Sequence, residues 1–312
     1  MTQSSHNLIG GEAFRALPTP ATLVDRQGII VDVNDAFLEY ARSLGQSIQR
    51  ESRVGHSILG FASPENRVPL AALLESARAG RSSDYDIVHT LTEGGQRHFH
   101  IVGRPLRDAQ GIVNGVLVVR EDVTADVQRE ARRQLLFKLH GEVWRMHSTS
   151  DLEHVLVAVR DGLRRLDLPF EDCGVNLVDD KQDPPHVSFH NMTRDDDWIS
   201  AGSDAGADII LDIWRGGTTV YRSDLDKDDP YGEARDIESV FSHHVRGVVD
   251  VPFRQGTFAV NSSLPDAFDA ADIELIEEVA QVLGDGFSRL ADFHALQHPF
   301  GKFLPNHNGN FM

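Results

Sequence analysis

Three strand patterns follow one another directly in the first half of the chain, and short glycine-containing turns separate them. The strands are YDIVHTL, RHFHIVGRPL and IVNGVLVVRED, and the separators are TEGGQ and RDAQG. Turns of this length and composition are typical of β-hairpins. The pattern therefore predicts three neighbouring strands in one antiparallel sheet, which is the strongest constraint that this sequence places on its fold.

Two more strands and two helices precede this run. ATLVD and IIVDVN lie on either side of RQG, a tight-turn signal that ends at Gly28. AFLEYARSL has apolar residues at helical spacing, and in PENRVPLAALLESARAG Ser63 can cap a helix that Gly80 ends. Two strands, two helices and three hairpin-linked strands predict a five-stranded antiparallel α+β domain.

A continuous helix is predicted from Asp122 to about Met146. Its apolar residues recur at steps of four or three, and they are Val127, Ala131, Leu135, Leu139, Val143 and Met146. This stripe can pack against its copy in a parallel dimer, or it can fold back onto a sheet of its own chain. A second helix, SDLEHVLVAVRDGLRRL, opens at Ser150 with Glu153 three positions later, which is a capping-box pattern.

A second domain is predicted after these helices. Its strand patterns are DCGVNLVDD, HVSFHNM, TTVYRSDL, VRGVVDVPFRQ and TFAVNS, with DDDW and DLDKDDPYGEARD as acidic surface connections and EARDIESVFSHH as a short helix. A closing helix runs from about Ala270 to His294, and we expect residues 1–11 and 295–312 to be poorly ordered. The predicted fold class is α+β, with two domains that each have a central antiparallel sheet flanked by helices, joined by a long helical linker over 122–148.

The composition limits the partners of this chain. Asp and Glu outnumber Lys and Arg by 48 to 30, which gives a formal net charge of −18. Such a balance argues against nucleic-acid binding, because phosphate neutralisation needs clustered basic residues. The basic run REARRQ has acidic neighbours and is interpreted as a solvated helix face. No secretory signal or long apolar run is visible, and a single cysteine excludes an internal disulfide, so we expect a cytoplasmic protein without a membrane partner.

Two motifs make residues 12–125 similar to a PAS domain. LVDRQGIIVDVNDAF stands near the start and contains Asn34 before the first helix. GRPLRDAQGIVNGVLVVREDVT stands at the end and closes on Asp122, Val123 and Thr124, which resembles the Asp-Ile-Thr junction of PAS sensors. The resemblance implies a sensor domain with an internal pocket.

Residues 133–294 resemble a GAF domain, and the specific part is GVVDVPFRQGTFAVNSSLPDAFDAADIELIEEVAQVLGDGF. A PAS domain followed by a GAF domain resembles the sensory half of bacterial histidine kinases, diguanylate cyclases and related signalling proteins. The resemblance implies a homodimeric protein that senses a small molecule or a partner and relays the signal through helices. The chain could be the input portion of, or partner to, a two-component histidine kinase or a cyclic-di-nucleotide enzyme. It could also be a ligand-free dimerisation scaffold.

The cofactor stays unknown, because the residues disfavour each of the familiar ones. A flavin adduct needs a GxNCRFxQ-type run, whereas Cys173 lies outside the PAS-like segment. A haem-binding PAS domain usually has its ligating His on the helix before the central strands, and PENRVPLAALLESARAG contains none. The Asp-Ile-Pro run of bilin-binding GAF domains is not found.

Cyclic nucleotide is disfavoured at the loop NSSLPDAFDAADIE. Asn261, Phe268 and Asp272 match the signature of nucleotide-binding GAF domains, but Ser262 and Ile273 replace its Lys and Glu. The stretch is explained instead as a strand-to-helix junction. Asp269 is its predicted N-cap with Asp272 at N3, Phe268 and Ile273 form a hydrophobic staple, and Asn261 suits the turn that leaves the strand.

Six residues are candidates for ligand contacts. In the PAS-like domain the alternation of strand residues places Tyr85, Ile87, His89 and Leu91 on one face. Candidates are Asn34, Tyr85, His89 and His100 there, and Trp214 and Tyr221 in the GAF-like domain. Asn34 can equally be a structural helix cap, and His89 can be a histidine satisfied on a half-exposed sheet. No catalytic grouping, phosphate loop or designed metal site is recognisable, so we expect no enzymatic activity.

Overall fold

The computed structural model describes residues 11–44, 46–90, 96–195, 197–201, 206–240 and 243–297. The chain divides into two compact units, with the boundary between Gln128 and Arg129. Apart from Gly11 and residues 295–297, which are helical, the predicted disordered ends lie outside the described residues. Among the described residues, no helix is long and apolar enough to cross a membrane.

The first unit contains the five-stranded antiparallel sheet that the hairpin pattern predicts. The strands are β1 (Ala21–Asp25), β2 (Ile30–Val33), β3 (Ser83–Thr90), β4 (Gln96–Arg107) and β5 (Val113–Asp122). Their order in the sheet is β2-β1-β5-β4-β3. The helices of this unit are α1 (Gly11–Arg15), α2 (Asp35–Ser43) and α3 (Pro64–Arg78), with short 3₁₀ turns at Arg50–Ser52 and Ile58–Phe61.

The core of the first unit lies between α3 and one face of the sheet. Leu73 and Leu74 of α3 are buried, and so are Phe99 and Ile101 of β4. At Gly103 the helix approaches so closely that an added Cβ would clash with the side chain of Leu73. This close packing leaves the space near α2 and the 3₁₀ turns as the open part of the interior.

The second unit has a six-stranded antiparallel sheet with the order β8-β7-β6-β11-β10-β9. The strands are β6 (Asp172–Asp179), β7 (His186–Thr193), β8 (Trp198–Ala201), β9 (Val220–Arg222), β10 (Gly247–Phe253) and β11 (Gly256–Ser262). The remaining helices are α4 (Thr124–Arg145), which begins in the first unit, α5 (Leu152–Arg165), α6 (Ala207–Gly216), α7 (Ala234–Val240) and α8 (Ala270–Gln297).

The predicted apolar stripe of α4 is buried inside the second unit. Leu135, Leu139, Val143 and Met146 belong to its main core together with residues of α5, α8 and the sheet. Val127, at the start of the stripe, is 38% exposed. Of the two partners considered for this stripe, the one observed is its own unit, so a dimer would have to use other residues of α4.

Three local predictions were wrong. The capping box lies two residues earlier than predicted, because Ser148 and Asp151, rather than Ser150 and Glu153, exchange side-chain to backbone hydrogen bonds. DDDW was interpreted as a surface connection, which holds for the exposed Asp195 and Asp197 but not for Trp198, where strand β8 begins. Helix α6 was not predicted either, although Gly206 and Gly217 flank its apolar residues with positive φ angles.

Candidate functional site

A cavity of about 320 Å³ opens inside the first unit. Its wall is mainly apolar and includes Phe37, Ile58, Leu70 and Ile101. Polar side chains from α3, β3, β5 and the 3₁₀ region also reach this wall. A concave, mostly apolar site with a few polar groups is the usual form of a small-molecule pocket.

Tyr85 supplies a hydroxyl group to this cavity. The hydroxyl donates a hydrogen bond of 2.5 Å to Oδ1 of Asn66, which is buried on α3. Burial is the main cause that raises the pKa of Tyr85 to about 12. The phenol therefore stays protonated and is held in a fixed direction.

His89 follows Ile87 by two positions on β3, so both lie on the same face of the strand. His89 also lines the cavity. Its ring meets that of Phe99 edge to face, with 5.4 Å between centroids. Burial lowers the pKa of His89, the charge of Arg120 lowers it further, and Glu65 acts in the opposite sense. The imidazole is accordingly neutral near pH 7, and its buried Nε2 has no hydrogen-bond partner among the described residues.

Two arginines complete the polar part of the wall. Arg120 donates to the hydroxyl of Tyr40 at 2.9 Å, and its guanidinium carbon lies 5.1 Å from the Tyr40 ring centroid. The guanidinium carbon of Arg53 lies 3.8 Å from the ring centroid of Phe61. Burial lowers the pKa of Arg53, since desolvation disfavours its charged form.

Of the four candidates in this unit, the structure brings Tyr85 and His89 together and places Asn34 elsewhere. Asn34 is fully buried at the N-cap of α2. Its Oδ1 accepts from the amides of Ala21 and Phe37, both at 2.9 Å. Its Nδ2 donates to the carbonyls of Leu17 at 3.1 Å and Thr19 at 2.8 Å. These four bonds use the capacity of the amide group, which agrees with the structural interpretation of Asn34.

His100 also lies away from the cavity. It pairs with Asp86 across the β3–β4 ladder. It is the neighbour of cavity-lining Ile101 on β4 and therefore lies on the opposite face of the sheet. Its Nδ1 is 2.7 Å from Oδ1 of Asp86, and its Nε2 is 3.9 Å from Oδ2 of Asp84. The hydrogen bond to Asp86 raises the pKa of His100. Leu91, predicted on the face of Tyr85 and His89, lies outside the described residues.

The two candidates of the second unit are not brought together in one pocket. Nε1 of Trp214 donates to the carbonyls of Phe253 and Arg254, at 3.1 and 3.2 Å. The hydroxyl of Tyr221 accepts from the amide of Phe268 at 3.1 Å. Both side chains use their polar atoms within the fold. Tyr221 lines a shallow depression of about 260 Å³, whose described lining does not include Trp214.

Sequence reasoning missed Arg53, Asn66 and Arg120. One signal for Arg120 was present, because it follows Val116 and Val118 at strand spacing in β5 and so shares their inward face. A charged residue at an inward position is unusual unless it is paired or functional. Arg53 and Asn66 had no such signal, since long-range folding alone brings them to the cavity.

The junction before α8 is largely as predicted. Oδ1 of Asp269 accepts from the amides of Ala271 and Asp272, at 2.8 and 2.9 Å. Oδ2 of Asp272 accepts in return from the amide of Asp269 at 3.1 Å, which completes a capping box. The prediction for Asn261 was wrong. It does not lie in a turn but within β11, where its buried amide donates to Asp172.

Comparison with known proteins defines the class of the first unit. Residues 14–128 match the family model described as PAS fold, so this unit is a PAS domain. The match confirms the resemblance of the first part of the chain to a PAS domain. The second unit, with its six-stranded antiparallel sheet, is unassigned.

Solved structures of PAS domains are similar to this part of the chain. One is the PAS domain of a Colwellia psychrerythraea protein, at 16% identity over 36% of this chain and 91% of that chain, with a TM-score of 0.29. Another is the PAS domain of BvgS from Bordetella pertussis, at 23% identity over 38% of this chain and 88% of that chain, with a TM-score of 0.30. No curated protein sequence matches this chain.

Proposed function

We propose that this chain is a signal-sensing regulatory protein whose PAS domain takes up a small organic ligand in the cavity described above. The observation that carries the proposal is the cavity itself. It has an apolar wall, and within it lie the fixed hydroxyl of Tyr85 and Nε2 of His89, which has no hydrogen-bond partner in the described part of the chain. Such a wall can hold a ligand by burial and orient it through a few polar contacts.

The route for the signal in this proposal is the start of α4. The hydroxyl of Thr124 accepts from the amide of His98 at 2.9 Å, and the amide of Val123 donates to the carbonyl of His98 at 2.9 Å. His98 is on β4, three residues from cavity-lining Ile101. A ligand can bind one arrangement of β4 and β5 more tightly than another. It would then shift the equilibrium between the corresponding positions of α4, to an extent set by the difference in affinity.

We infer that the second unit is a GAF domain. Its antiparallel sheet with α5 and α8 and the NSSLPDAFDAADIE junction support this identity. Ser262 and Ile273 stand where a cyclic-nucleotide site has Lys and Glu, so this unit is not expected to bind cyclic AMP or cyclic GMP. Calorimetric titration of the full chain with both nucleotides tests that expectation, and saturable binding would contradict it.

The output in this proposal passes to another protein, such as a separate kinase, and the chain itself performs no catalysis.

A homodimer is the proposed assembly. Phe137 is 82% exposed and Trp144 is 67% exposed, and they stand seven residues apart on one face of α4. Exposed large apolar side chains at this spacing are typical of a helix that pairs with another helix. Two alternatives to this function remain. The chain is the input portion of a kinase or cyclic-di-nucleotide enzyme, or it is a ligand-free scaffold.

Native mass spectrometry of the purified full chain tests ligand uptake. We expect a retained small-molecule mass on the wild-type protein, and loss of that mass in Ala41→Leu, because Ala41 is buried and lines the cavity. Ala125→Leu, at an exposed position on α4, is the matched control and should retain the mass. A wild-type chain with no bound mass, or a mass that Ala41→Leu retains, would contradict the proposed site. An absorption spectrum of the same sample would reveal a flavin, haem or bilin.

A further inference from the structure

The charged side chains that line the PAS cavity are of one sign, and Glu65, which acts on His89 from nearby, is not part of the described lining. Arg53 and Arg120 line it, and His89 is neutral for the reasons given above. Of the described residues that line this cavity, none is Asp or Glu. A cavity of this composition complements a ligand that carries negative charge.

The two arginines differ in one respect from other arginines of the same chain. Arg50, in the same domain, lies 3.1 Å from Oδ1 of Asp32 and 2.6 Å from Oδ1 of Asp35. Neither Arg53 nor Arg120 forms an ion pair with a carboxylate of the described residues. Arg120 has the hydroxyl of Tyr40 and an aromatic ring face, and Arg53 has the ring face of Phe61.

Burial without a nearby opposite charge removes water contacts from the guanidinium group of an arginine. Contacts with aromatic ring faces replace these water contacts only in part. The effect is visible at Arg53, where burial lowers the pKa of the guanidinium. A ligand carboxylate would restore the missing charge, and the planar guanidinium can donate two parallel hydrogen bonds to it.

Resting on the proposed function of this cavity, we propose that its ligand is a small monocarboxylate with a compact aromatic or aliphatic body. The carboxylate binds at Arg120 and Arg53, and the apolar body lies against Phe37, Ile58 and Leu70. A carboxylate suits this site better than a phosphate group. Phosphate sites usually rely on converging backbone amides, whereas the cationic donors described at this cavity are the side chains of Arg53 and Arg120.

Isothermal titration calorimetry of the full chain can test the charge of the ligand with three nearly isosteric probes, which are phenylacetate, phenylacetamide and 2-phenylethylamine. We expect phenylacetate to bind about 10- to 100-fold more tightly than the neutral amide, the range of a charge-assisted hydrogen bond. We expect no binding of the ammonium compound. Arg53→Gln and Arg120→Gln should each remove most of the preference for the carboxylate, and Arg120→Lys should restore part of it.

Controls separate binding from folding. Arg104→Gln, at an exposed position of β4 outside the cavity lining, should bind phenylacetate like the wild type. Thermal melting of each variant, followed by circular dichroism, shows whether it is folded. If Arg120→Gln does not fold, Arg53→Gln and the probe series on the wild-type chain still decide the question.

The possible outcomes distinguish this inference from the proposed function. Equal or tighter binding of the amide or the ammonium compound would overturn the carboxylate assignment and leave ligand uptake by the PAS cavity intact. Failure of all three probes on protein that native mass spectrometry shows to be free of retained ligand would also overturn the assignment. If freshly purified protein retains no ligand either, the proposed function fails as well.

Discussion

The side-chain amide of Asn261 donates a hydrogen bond of 2.8 Å to Oδ1 of Asp172, across the pairing of β11 with β6. Both residues are buried, at 5% and 0% exposure. The other carboxylate oxygen of Asp172 lies 3.3 Å from Nε2 of His243. A charge that has almost no access to water is therefore balanced by one amide and one imidazole.

Asn261→Ala should destabilise the second unit. The substitution removes a donor from a buried carboxylate, and a buried polar group left unsatisfied costs about 1–3 kcal/mol. Urea denaturation of the full chain measures the free energy of unfolding. Asn114→Ala, at an exposed position of β5, is the control and should change it by less than about 0.5 kcal/mol. A stability of Asn261→Ala equal to that of the control would contradict this account.

The pair of His243 and Asp172 should make stability depend on pH. The hydrogen bond with Asp172 is the main cause that raises the pKa of His243, and burial is the main cause that raises the pKa of Asp172. Both shifts mean that the folded state binds protons more tightly than the unfolded chain. The stabilisation from His243 is therefore fully present below the ordinary histidine pKa of 6.5 and is lost as pH rises through the raised folded pKa. The stabilisation from Asp172 is fully present only below the ordinary Asp pKa of 3.8 and is lost as pH rises through its own raised folded pKa.

Unfolding free energies measured between pH 5.5 and about pH 9 test this linkage. The reference is the double variant Asp172→Asn, His243→Gln, which lacks both titrating groups. The free energy of unfolding of the wild type minus that of this reference should become smaller as pH rises. Glu171 adds a smaller charge effect on His243 and is present in both proteins. An advantage that stays constant or grows with pH would refute the assigned direction.

Arg222 holds two buried carboxylates in the second unit. Its Nε lies 2.6 Å from Oε1 of Glu233, and its Nη2 lies 2.7 Å from Oδ2 of Asp250. Arg222→Met should cost about 3–5 kcal/mol of unfolding free energy, because it leaves both carboxylates buried without a counter-charge. Adding Glu233→Gln and Asp250→Asn should recover part of the loss.

The matched control for Arg222 is Arg215→Met. Arg215 forms an exposed pair with Asp212, with 4.0 Å between Nη1 and Oδ1, and such a pair contributes about 0–1 kcal/mol. Urea denaturation of both variants gives the comparison. Equal losses from the two substitutions would mean that the buried network does not stabilise the unit.

Helix α4 should mediate self-association through Phe137 and Trp144. The double variant Phe137→Glu, Trp144→Glu places charge on this exposed face and should shift the chain from dimer to monomer in sedimentation equilibrium at micromolar concentration. Its melting temperature at a concentration where both proteins are monomeric should change little, since neither side chain belongs to the core and Trp144 loses only its contact with the guanidinium of Arg289. Leu264→Glu, at another exposed apolar position, is the control. A monomeric wild type would refute the dimer.

The parts of the fold that could be predicted from the sequence are those set by short-range periodicity. Gly-containing turns between alternating strands gave the order of β3, β4 and β5, and the spacing of Leu135, Leu139 and Val143 gave the buried face of α4. Local capping also followed from nearby residues, as Asp269 and Asp272 illustrate. These features depend on interactions within a few residues of each other.

The parts that could not be predicted depend on residues far apart in the chain. Asn261 and Asp172 are 89 positions apart, and a strand pairing that no local pattern specifies brings them together. Without that pairing in view, Asn261 was interpreted as suiting the turn that leaves the strand. The cavity shows the same limit. Tyr85 and His89 were found from strand alternation, but Arg53 reaches the wall from a segment without periodicity.

The four hydrogen bonds of Asn34 decide where this PAS domain can be cut from the rest of the chain. Two of them end on the carbonyls of Leu17 and Thr19, which precede the first strand of the sheet. A fragment that starts at Ala21 would lose both acceptors and leave a fully buried amide half satisfied, and it would also lose the buried ring of Phe14. The shortest fragment expected to fold by itself therefore begins at or before Phe14, seven or more residues ahead of the sheet that it supports.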